Sequence, residues 1–538
     1  MTTPFQPVPS PRSTLPAIAL ADLASELDSG LSPRIEPAGS ETVPITGMTV
    51  DSREVVPGNL FVCKGAGFKP AFLSSAAAGG AAAYLCEDDP ELIAELECAA
   101  PDLPRLVASD VRAAMAQAAP IIYDHPERNL DIVGITGTKG KSTAAYMLKS
   151  ILSAAGDEPS IMGSIDTDDG VEHFESHNTT PEAPELWRHL HNTVQAGRRH
   201  MVMEVSSQGL KYDRMLGVPL RIGAFLNIGR DHISGVEHPT FEDYLESKLK
   251  IFAQSDIALV NLATDHLDEV LAAAQASRAL VTFSPEPDER ACFQADHVIS
   301  TGVGLEFDLL ERIDLAEIDA QGSFGNSLSR KGETVAEHIA LGIPGLFNVE
   351  NALAAIACAR LLGVSYDAIK HGLAHLRVPG RMEVVATPDR RIIALIDYAH
   401  NELSYQALFS SVEQEYPGRR IIAVFGAPGG KAQERREALP RVAGAYADLI
   451  IYTEEDPAHE RVEDICDELA AHTPAGVAYR IICDREQAVA AAFEDARAHD
   501  GESVVLLLAK GDETRQHRGD EYPEVKSDLA LAREILAS

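Results

Sequence analysis

Residues 130–147 read LDIVGITGTKGKSTAAYM, and this stretch decides the fold. The β-branched run 132–136 is typical of a buried parallel strand, and an apolar helical pattern begins at Ala144. Between them, Gly137 and Gly140 allow backbone N–H groups to approach an anion closely, and the start of the helix presents further unpaired N–H groups to it. The stretch therefore predicts a phosphate-binding loop, with a plain glycine-rich turn as the alternative.

The residues at the start of this helix suit a bound nucleotide. Lys141 is placed to reach β- and γ-phosphates, and the Ser142 hydroxyl is placed to bind Mg²⁺. The spacing G-x-x-G-K-S is shorter than the generic G-x-x-x-x-G-K-[ST] pattern. The predicted ATP-binding loop comprises Gly137, Thr138, Lys139, Gly140, Lys141, Ser142 and Thr143.

Length and composition restrict the class of protein. A chain of 538 residues predicts two to four domains. The net charge of -36 argues against nucleic acid or an anionic membrane surface as a partner. Seven cysteines without a C-x-x-C pair indicate a reducing compartment, with neither a zinc site nor a disulfide framework. Because no run approaches 18 apolar residues and the proline-rich lead 1–17 lacks an apolar signal region, we expect a cytoplasmic protein with a disordered lead.

Two further strands of the central region end on polar residues. The strand 199–207 delivers Glu204, and the strand 222–228 runs into Asp231 and His232. Ligands of open parallel sheets bind outside the carboxyl ends of the strands, so Glu204 is well placed to hold Mg²⁺. His232 has either a metal or phosphate role there or a structural one.

Four other segments have both a structural and a functional interpretation. The Asp51-Ser52-Arg53 stretch precedes a proline-glycine turn and is typical of a surface loop held by its side chains. The polar turn 178–181 either binds a ligand or caps the helix that starts near Glu182, and Asn348 is a candidate helix N-cap. The helix 244–252 has the pattern of an amphipathic helix with a solvated lysine face.

The C-terminal part alternates strands with helices. The strand 392–397 ends on Asp397, the strand 421–426 leads into a glycine-rich turn, and two further strands complete a doubly wound pattern. The predicted fold class is therefore α/β, with a mostly parallel central sheet around the phosphate loop and a Rossmann-like C-terminal domain. The predicted boundaries are 18–126, 127–377 and 378–538.

Nine short motifs together resemble the muramyl ligase family of peptidoglycan synthesis. In chain order these motifs are GITGTKGKST, HNTTPE, MEVSSQGL, FLNIGRDHI, YLESK, FNVENALAA, VPGRME, DYAHNE and FGAPGGK. They span nearly the whole chain, and they are most similar to the members that add the third amino acid. The resemblance implies that domain 18–126 binds the uridine nucleotide, that domain 127–377 is the ATPase and ligase domain, and that domain 378–538 binds the amino acid and closes over ATP.

The resemblance also implies a reaction. ATP phosphorylates the D-glutamate carboxylate of UDP-N-acetylmuramoyl-L-alanyl-D-glutamate, and the amine of an amino acid attacks the acyl phosphate. Such chemistry needs charge clamps and metal ions around the phosphoryl group. The implied catalytic residues are Lys141, Glu204, His232 and Lys248, of which Lys248 is carbamylated and binds Mg²⁺ with Ser142, Glu204 and His232.

Other roles follow from the resemblance by position. The residues implied to contact ATP are Asn348, Asn351, Arg381 and Asp397. The residues implied to contact the UDP-sugar and its dipeptide are Asp51, Ser52, Arg53, Thr179, Thr180, Ser206 and Arg214. Amino-acid recognition falls to Glu455, Asp456, Pro457, Ala458 and Glu513.

The prediction of which amino acid the enzyme adds depends on Ala458. Relatives that add diaminopimelate have Asp-Asn-Pro-Arg where this chain has Glu-Asp-Pro-Ala, and their arginine grips the second carboxylate of that substrate. Leaving a buried carboxylate unpaired costs several kcal/mol, so L-lysine is favoured. Two departures, Glu455 for aspartate and Asp512 for the histidine of Gly-Lys-Gly-His-Glu, keep ornithine and meso-diaminopimelate as alternatives.

Two rival functions differ in class. A ligase resembling folylpolyglutamate synthase would share the loop and the lysine but would lack a uridine-binding first domain. A non-catalytic relative would bind the UDP-sugar as a regulatory protein, and the joint presence of Lys141, Glu204, His232 and Lys248 argues against it. We expect a monomeric enzyme whose partners are the UDP-dipeptide, lysine, ATP and Mg²⁺.

Overall fold

The computed structural model describes residues 15–65, 67–176, 178–231, 233, 237–313 and 335–537. These residues form two compact units, one of residues 15–282 and one of residues 283–313 and 335–537. Most of the predicted disordered lead lies outside the described residues. The predicted domain boundaries near residues 126 and 377 stay predictions.

The first part of the first unit is an α/β layer. Its strands are β1 (Ile18–Ala19), β2 (Arg34–Glu36), β3 (Pro44–Ile45), β4 (Gly47–Thr49), β5 (Asn59–Val62), β6 (Ala83–Glu87) and β7 (Arg105–Ala108). Its helices are α1 (Leu20–Glu26), α2 (Pro70–Ala78), α3 (Pro90–Ala99) and α4 (Val111–Ile122). The sheet order is β2-β7-β6-β5-β4, parallel except for β2. Asp89 and Asp110 accept hydrogen bonds from the first turns of α3 and α4, which fixes where these helices begin.

The rest of the first unit is built on a larger sheet. Its strands are β8 (Asp131–Thr136), β9 (Ser160–Met162), β10 (Asp166–Asp168), β11 (His173–Glu175), β12 (His200–Glu204), β13 (Leu220–Phe225), β14 (Ser255–Asn261) and β15 (Ala279–Ser284). Its helices are α5 (Lys141–Ala154), α6 (Ala183–Gln195), α7 (Ser207–Lys211), α8 (Phe241–Leu249) and α9 (Leu267–Ala274). The order is β11-β10-β9-β12-β8-β13-β14-β15.

Strand β8 lies inside this sheet, parallel to β12 and β13 on either side. Its apolar side chains are buried, as expected for a strand covered on both faces. The register pairs Ile135 with Glu204 and with Ala224, so β8, β12 and β13 end at one edge. The phosphate loop and Glu204 therefore share that edge.

The second unit contains three antiparallel strands and a six-stranded sheet. An antiparallel group consists of β16 (Phe293–Ser300), β17 (Leu305–Glu311) and β18 (Val335–Leu341). The other strands are β19 (Glu383–Ala386), β20 (Ile392–Asp397), β21 (Arg420–Phe425), β22 (Leu449–Tyr452), β23 (Ala478–Ile481) and β24 (Ser503–Leu508), in the order β19-β20-β24-β21-β22-β23. The helices are α10 (Asn348–Leu361), α11 (Tyr366–Ala374), α12 (Glu402–Glu415), α13 (Arg435–Ala443), α14 (Val462–Ala471), α15 (Arg485–Ala498) and α16 (Asp528–Ala537).

All neighbours in the six-stranded sheet are parallel except β19 and β20. Separate apolar clusters cover its two faces, which is the doubly wound arrangement predicted from the sequence. The α/β class and the mostly parallel central sheet are confirmed. Among the described residues, no helix combines the length and the apolar character needed to cross a membrane.

Candidate active site

The phosphate loop joins β8 to α5 as predicted. Gly140 precedes α5 with φ 86°, a left-handed conformation that glycine adopts without strain. The backbone N–H of Thr138 donates to the Asn227 carbonyl at 3.0 Å, and that of Lys139 donates to the Asn227 side chain at 2.9 Å. Asn227 follows β13 and holds the loop in shape, a role that the sequence analysis missed.

The Lys141 ammonium lies over this loop. Its Nζ donates to the carbonyls of Gly137 at 3.0 Å and Thr138 at 3.3 Å. Thr143, in the same helical turn, is buried. A positive charge and the start of α5 therefore meet at one point, which is the arrangement that favours bound phosphate.

Ser142 and Glu204 are brought together through Ser164. The Ser142 and Ser164 hydroxyl oxygens lie 2.9 Å apart, and the Ser164 backbone N–H donates to Glu204 Oε1 at 2.8 Å. Ser164 follows strand β9 at the same sheet edge, so strand-end position was a signal for it that the sequence analysis did not use. A Cβ on Gly163 would lie 2.3 Å from Glu204 Oε1, so the carboxylate occupies the space that a side chain would need.

The donor set at this edge fits magnesium. Hydroxyl and carboxylate oxygens, here from Ser142, Ser164 and Glu204, are the hard ligands that Mg²⁺ prefers. Of the remaining predicted metal ligands, His232 lies outside the described residues, so its role stays a prediction.

Lys248 is a buried residue of α8, with 1% of its surface exposed. Its Nζ donates to the Gly137 carbonyl at 2.8 Å and lies 4.9 Å from the centre of the Tyr244 ring. Burial lowers the pKa of the Lys248 ammonium well below its usual value, and the nearby Lys141 cation lowers it further. The alternative of a solvated lysine face is wrong for this residue.

Helix α8 also braces the phosphate loop. The Tyr244 hydroxyl lies 3.1 Å from Thr138 Oγ1, and the Gly229 backbone N–H donates to the same oxygen at 3.0 Å. Lys139 Nζ pairs with Asp231 at 3.0 Å. The loop is therefore fixed from two directions, by the segment after β13 and by α8.

The residues predicted to hold the dipeptide form one network. Thr180 Oγ1 donates to the Glu204 carbonyl at 3.0 Å and accepts from the Ser206 backbone N–H at 2.9 Å. Arg214 donates to the Thr180 carbonyl at 3.0 Å and pairs with Glu182 at 3.1 Å. Thr179 immediately precedes Thr180. Since Glu182 itself is the N-cap residue of α6 and no side chain caps that helix, the capping alternative for residues 178–181 is wrong.

Lys64, which was not predicted from the sequence, extends this network to the first sheet. Its ammonium contacts Glu182 at 2.5 Å and is almost fully buried. The pairing of residues 118 positions apart leaves no local pattern, so only the folded chain reveals it.

The Asp51-Ser52-Arg53 stretch is a side-chain-held loop. Arg53 donates to the Asp51 carboxylate at 2.9 Å, and this bond lowers the pKa of Asp51. The Arg53 side chain is 86% exposed. The structural interpretation of this loop is confirmed, and a uridine contact stays a prediction.

In the second unit, the predicted ATP contacts are held by local hydrogen bonds. Asn348 is the first residue of α10, not its N-cap, which is Phe347. The Asn351 amide donates to Asn348 Oδ1 at 3.0 Å, and both residues are buried. Asp397 ends β20 and accepts from the Met382 backbone N–H at 2.9 Å.

Arg381 precedes this turn, and its guanidinium lies 4.5 Å from the centre of the Tyr398 ring. Because Asp397 fixes the backbone next to Arg381, the two predicted ATP contacts are structurally linked. Their contact with a nucleotide stays a prediction.

Two of the residues predicted to recognise the amino-acid substrate pair with the Lys510 ammonium. Lys510 Nζ lies 2.9 Å from Asp456 Oδ1 and 2.6 Å from Glu513 Oε2. Glu455 is buried, and its Oε2 has no hydrogen-bond partner among the described residues. Burial raises the pKa of Glu455 to about 7, against the attraction of Arg435. The acidic rim predicted from the sequence is therefore partly neutralised by Lys510.

Ala458 is fixed by backbone contacts. It has φ 48°, its N–H donates to the His517 carbonyl at 3.0 Å, and its carbonyl accepts from Gly519 at 2.6 Å. Pro457 precedes it, and its carbonyl lies where a Cβ on Gly429 would be, 1.8 Å away. The chain reversal after Asp456 is thus tightly packed.

Glu460 serves a structural purpose. Its carboxylate accepts from the Gly430 backbone N–H at 2.5 Å and pairs with Arg436 at 2.8 Å. Arg436 also pairs with Glu468 at 2.7 Å, so it is committed to two carboxylates. Arg435 is less constrained, and its buried Nε has no hydrogen-bond partner among the described residues.

One group elsewhere in the first unit has the composition of a metal site. Ligand atoms of Asp169, Glu172 and His189 lie within 4.8 Å of one another. Asp169 already accepts from His189 at 2.6 Å, from Asn192 at 2.8 Å and from two backbone N–H groups. These bonds satisfy the buried carboxylate, so we interpret the group as structural.

Two family matches cover most of the chain. Residues 135–359 match the Mur ligase middle domain, and residues 380–511 match the Mur ligase, glutamate ligase domain. The chain is 37% identical to the UDP-N-acetylmuramyl-tripeptide synthetase of Lactobacillus delbrueckii subsp. bulgaricus, over 91% of this chain and 93% of that protein. It is 34% identical to the UDP-N-acetylmuramoyl-L-alanyl-D-glutamate--L-lysine ligase of Enterococcus faecalis, over 91% and 92% of the two chains.

Solved structures share the fold. A UDP-N-acetylmuramoyl-L-alanyl-D-glutamate--2,6-diaminopimelate ligase aligns with a TM-score of 0.65 and 23% identity, over 97% of this chain and 99% of that chain. The folylpolyglutamate synthase of Mycobacterium tuberculosis aligns with a TM-score of 0.58 and 17% identity, over 79% of this chain and 95% of that chain.

Proposed function

The chain belongs to the Mur ligase family, and from this premise we propose that it adds L-lysine to UDP-N-acetylmuramoyl-L-alanyl-D-glutamate with hydrolysis of ATP to ADP and phosphate, in peptidoglycan synthesis. One observation carries the proposal. Lys141, the Ser142 and Ser164 hydroxyls, Glu204 and the buried Lys248 meet around one phosphate loop.

The residues suit transfer through an acyl phosphate. The D-glutamate carboxylate attacks the γ-phosphorus, ADP leaves, and the amine then attacks the acyl carbon and expels phosphate. Lys141 and the loop N–H groups stabilise the charge that develops on the phosphoryl oxygens. Ser142, Glu204, His232 and a carbamylated Lys248 would hold Mg²⁺, which shields the reacting carboxylate from the triphosphate.

The network of Thr180, Ser206 and Arg214 suits the peptide part of the substrate. Its hydroxyl and guanidinium groups adjoin Glu204 through the Thr180–Glu204 hydrogen bond. A substrate carboxylate bound there would be held beside the phosphate loop. Asp51, Ser52 and Arg53 are the proposed uridine contacts.

Lysine is proposed on two grounds. The relative from Enterococcus faecalis is by name an L-lysine ligase. In this chain Ala458 offers no cation, whereas Glu455 supplies a carboxylate for an ammonium group beside Asp456 and Glu513, which pair with Lys510.

The alternatives are less well supported. A folylpolyglutamate synthase would leave the first α/β layer unexplained, while the Lactobacillus relative covers 91% of the chain. A non-catalytic binding protein would have no need for a buried lysine beside the loop. The cytoplasmic location and the monomeric state stay predictions.

Amino-acid specificity tests this proposal directly. We expect kcat/KM for lysine to exceed that for meso-diaminopimelate by at least about a hundredfold, the scale of one missing bidentate charged contact. The assay is phosphate release with the UDP-dipeptide, ATP and lysine, ornithine or meso-diaminopimelate in parallel. The variant Ala458→Arg should reduce the difference in kcat/KM between lysine and meso-diaminopimelate, because the arginine gives the second carboxylate of meso-diaminopimelate a partner.

The matched control is Ala458→Gly, because glycine also tolerates φ 48° and brings no charge. It should keep the lysine preference. A wild-type preference for meso-diaminopimelate would contradict the proposal and would make Arg435 the candidate cation for the second carboxylate.

The pKa of Glu455 predicts a pH dependence. A carboxyl group with a pKa raised to about 7 is mostly neutral at pH 6 and mostly charged at pH 8, so its attraction for the lysine ammonium grows as pH rises. We expect kcat/KM for lysine to rise about tenfold over this window. Glu455→Gln should abolish the rise, and Glu460→Gln should keep it because the partners of Glu460 lower its pKa. A rise that persists in Glu455→Gln would assign the titration to another group.

A further inference from the structure

A buried histidine joins two helices of the first unit. His238 has no exposed surface, its Nε2 lies 2.9 Å from Ser207 Oγ, and its Nδ1 lies 2.6 Å from Asp243 Oδ2. Ser207 is the first residue of α7, and Asp243 lies in the first turn of α8. The imidazole therefore bridges the two helices side by side.

The charges around the histidine assign its hydrogen bonds. Asp243 also accepts from Lys211 at 2.7 Å, and these bonds lower the pKa of its carboxyl, so Asp243 is charged. His238 Nδ1 then donates to Asp243, and Nε2 forms the second hydrogen bond, with the Ser207 hydroxyl. The Ser-His-Asp order resembles a hydrolase triad, but Ser207 and His238 are both buried, which denies a substrate access to them.

Each end of the bridge leads to the proposed active site. On one side, Ser206 precedes Ser207, accepts a hydrogen bond from the Gly209 backbone N–H as the N-cap of α7, and donates its own backbone N–H to Thr180. On the other side, the His238 ring packs edge-on against Tyr244 at 5.1 Å. Tyr244 contacts Thr138 of the phosphate loop and lies under the Lys248 ammonium.

We infer that His238 is a positioning residue that links the peptide-binding segment at Ser206 to the phosphate loop and Lys248. It sets where α7 lies relative to α8, so the substrate carboxylate and the γ-phosphate are held in one geometry. This inference rests on the proposed function, because it takes Ser206 as a substrate contact. Small errors in such a geometry have large effects on rate.

The two hydrogen bonds of His238 can be separated by substitution. Asn reproduces the position of Nδ1, so His238→Asn keeps the Asp243 contact and loses the Ser207 contact. Gln reproduces the position of Nε2, so His238→Gln keeps the Ser207 contact. We expect His238→Asn to raise KM for the UDP-dipeptide about tenfold while KM for ATP stays within twofold, and we expect His238→Gln to restore much of the loss.

Ser207→Ala removes the same hydrogen bond by deleting the Ser207 hydroxyl, with little change in side-chain volume. It therefore tests the same interaction if a His238 variant folds poorly. It should reproduce the KM effect, and the double variant with His238→Asn should be no worse than either single variant, because both remove one interaction. His189→Asn is the matched control. His189 also pairs with a buried aspartate at 2.6 Å, but its hydrogen-bond partners Asp169, Arg188 and Thr193 lie outside α7 and α8.

Steady-state kinetics with thermal melting of each variant decide the matter. A normal KM for the UDP-dipeptide in His238→Asn, additive effects in the double variant, or an equal KM change in His189→Asn would each overturn the positioning role. The proposed function is tested separately by wild-type phosphate release that depends on the UDP-dipeptide and the amino acid. Loss of that activity would refute the function, whereas a neutral His238→Asn in an active enzyme would refute the positioning role alone.

Discussion

Lys141→Ala is expected to lower turnover by two to three orders of magnitude while leaving the fold intact. The ammonium donates to two carbonyls of its own loop, Gly137 and Thr138. What is lost is the charge that stabilises the phosphoryl group in the transition state. Phosphate release with saturating ATP, UDP-dipeptide and lysine measures the effect.

Lys149→Ala is the control for this experiment. Lys149 is on the same helix, and its ammonium pairs with Asp168 at 3.4 Å. It removes one positive charge from α5 without touching the loop, so activity should stay within about twofold. If Lys141→Ala were nearly as active as the wild type, the loop could not be the site of phosphoryl transfer.

Lys248→Ala is expected to retain less than about 1% of wild-type activity, the scale of losing a ligand of a catalytic metal. The lowered pKa increases the neutral share of the buried amine, and a neutral amine adds CO₂ with release of a proton to give a carbamate. The carbamate supplies carboxylate-like oxygens where the lysine itself supplies only a donor. Truncation to alanine leaves a cavity beside Gly137, which a short carboxylate such as formate or acetate could fill.

Partial recovery of activity with added formate or acetate would therefore support a carbamylated Lys248. Lys250→Ala is the matched control, since Lys250 follows two residues later and is exposed. It should be fully active and insensitive to either anion. Full activity of Lys248→Ala would leave the buried amine with a structural role only.

The sequence predicted the parts of the site that depend on local pattern. The strand-loop-helix around Gly140, the strand end at Glu204 and the doubly wound C-terminal strands were all readable from apolar periodicity and glycine placement. Helix termini were less accurate, because the Asn348 side chain bonds to Asn351 within α10 and the Thr180 side chain before α6 bonds to Glu204 and Ser206, so neither caps its helix.

What could not be predicted are pairings between distant segments. Ser164 joins Ser142 to Glu204, and Lys64 joins Glu182 across 118 residues. The burial of Lys248 could not be predicted for the same reason. The sequence pattern of a helix shows which face is apolar, but it does not show which other segments cover the neighbouring positions. Lys510 likewise changes the charge of the amino-acid residues only once the chain has folded.

Gly163 places a limit on mutational tolerance. The carboxylate of Glu204 fills the volume that any side chain at residue 163 would require, with Oε1 only 2.3 Å from the position of a Cβ. In a saturation library, residue 163 should therefore tolerate as little change as the charged residues, although it contributes no functional group. Its constraint comes from occupied volume, so it would escape any search for active-site residues that is guided by chemistry alone.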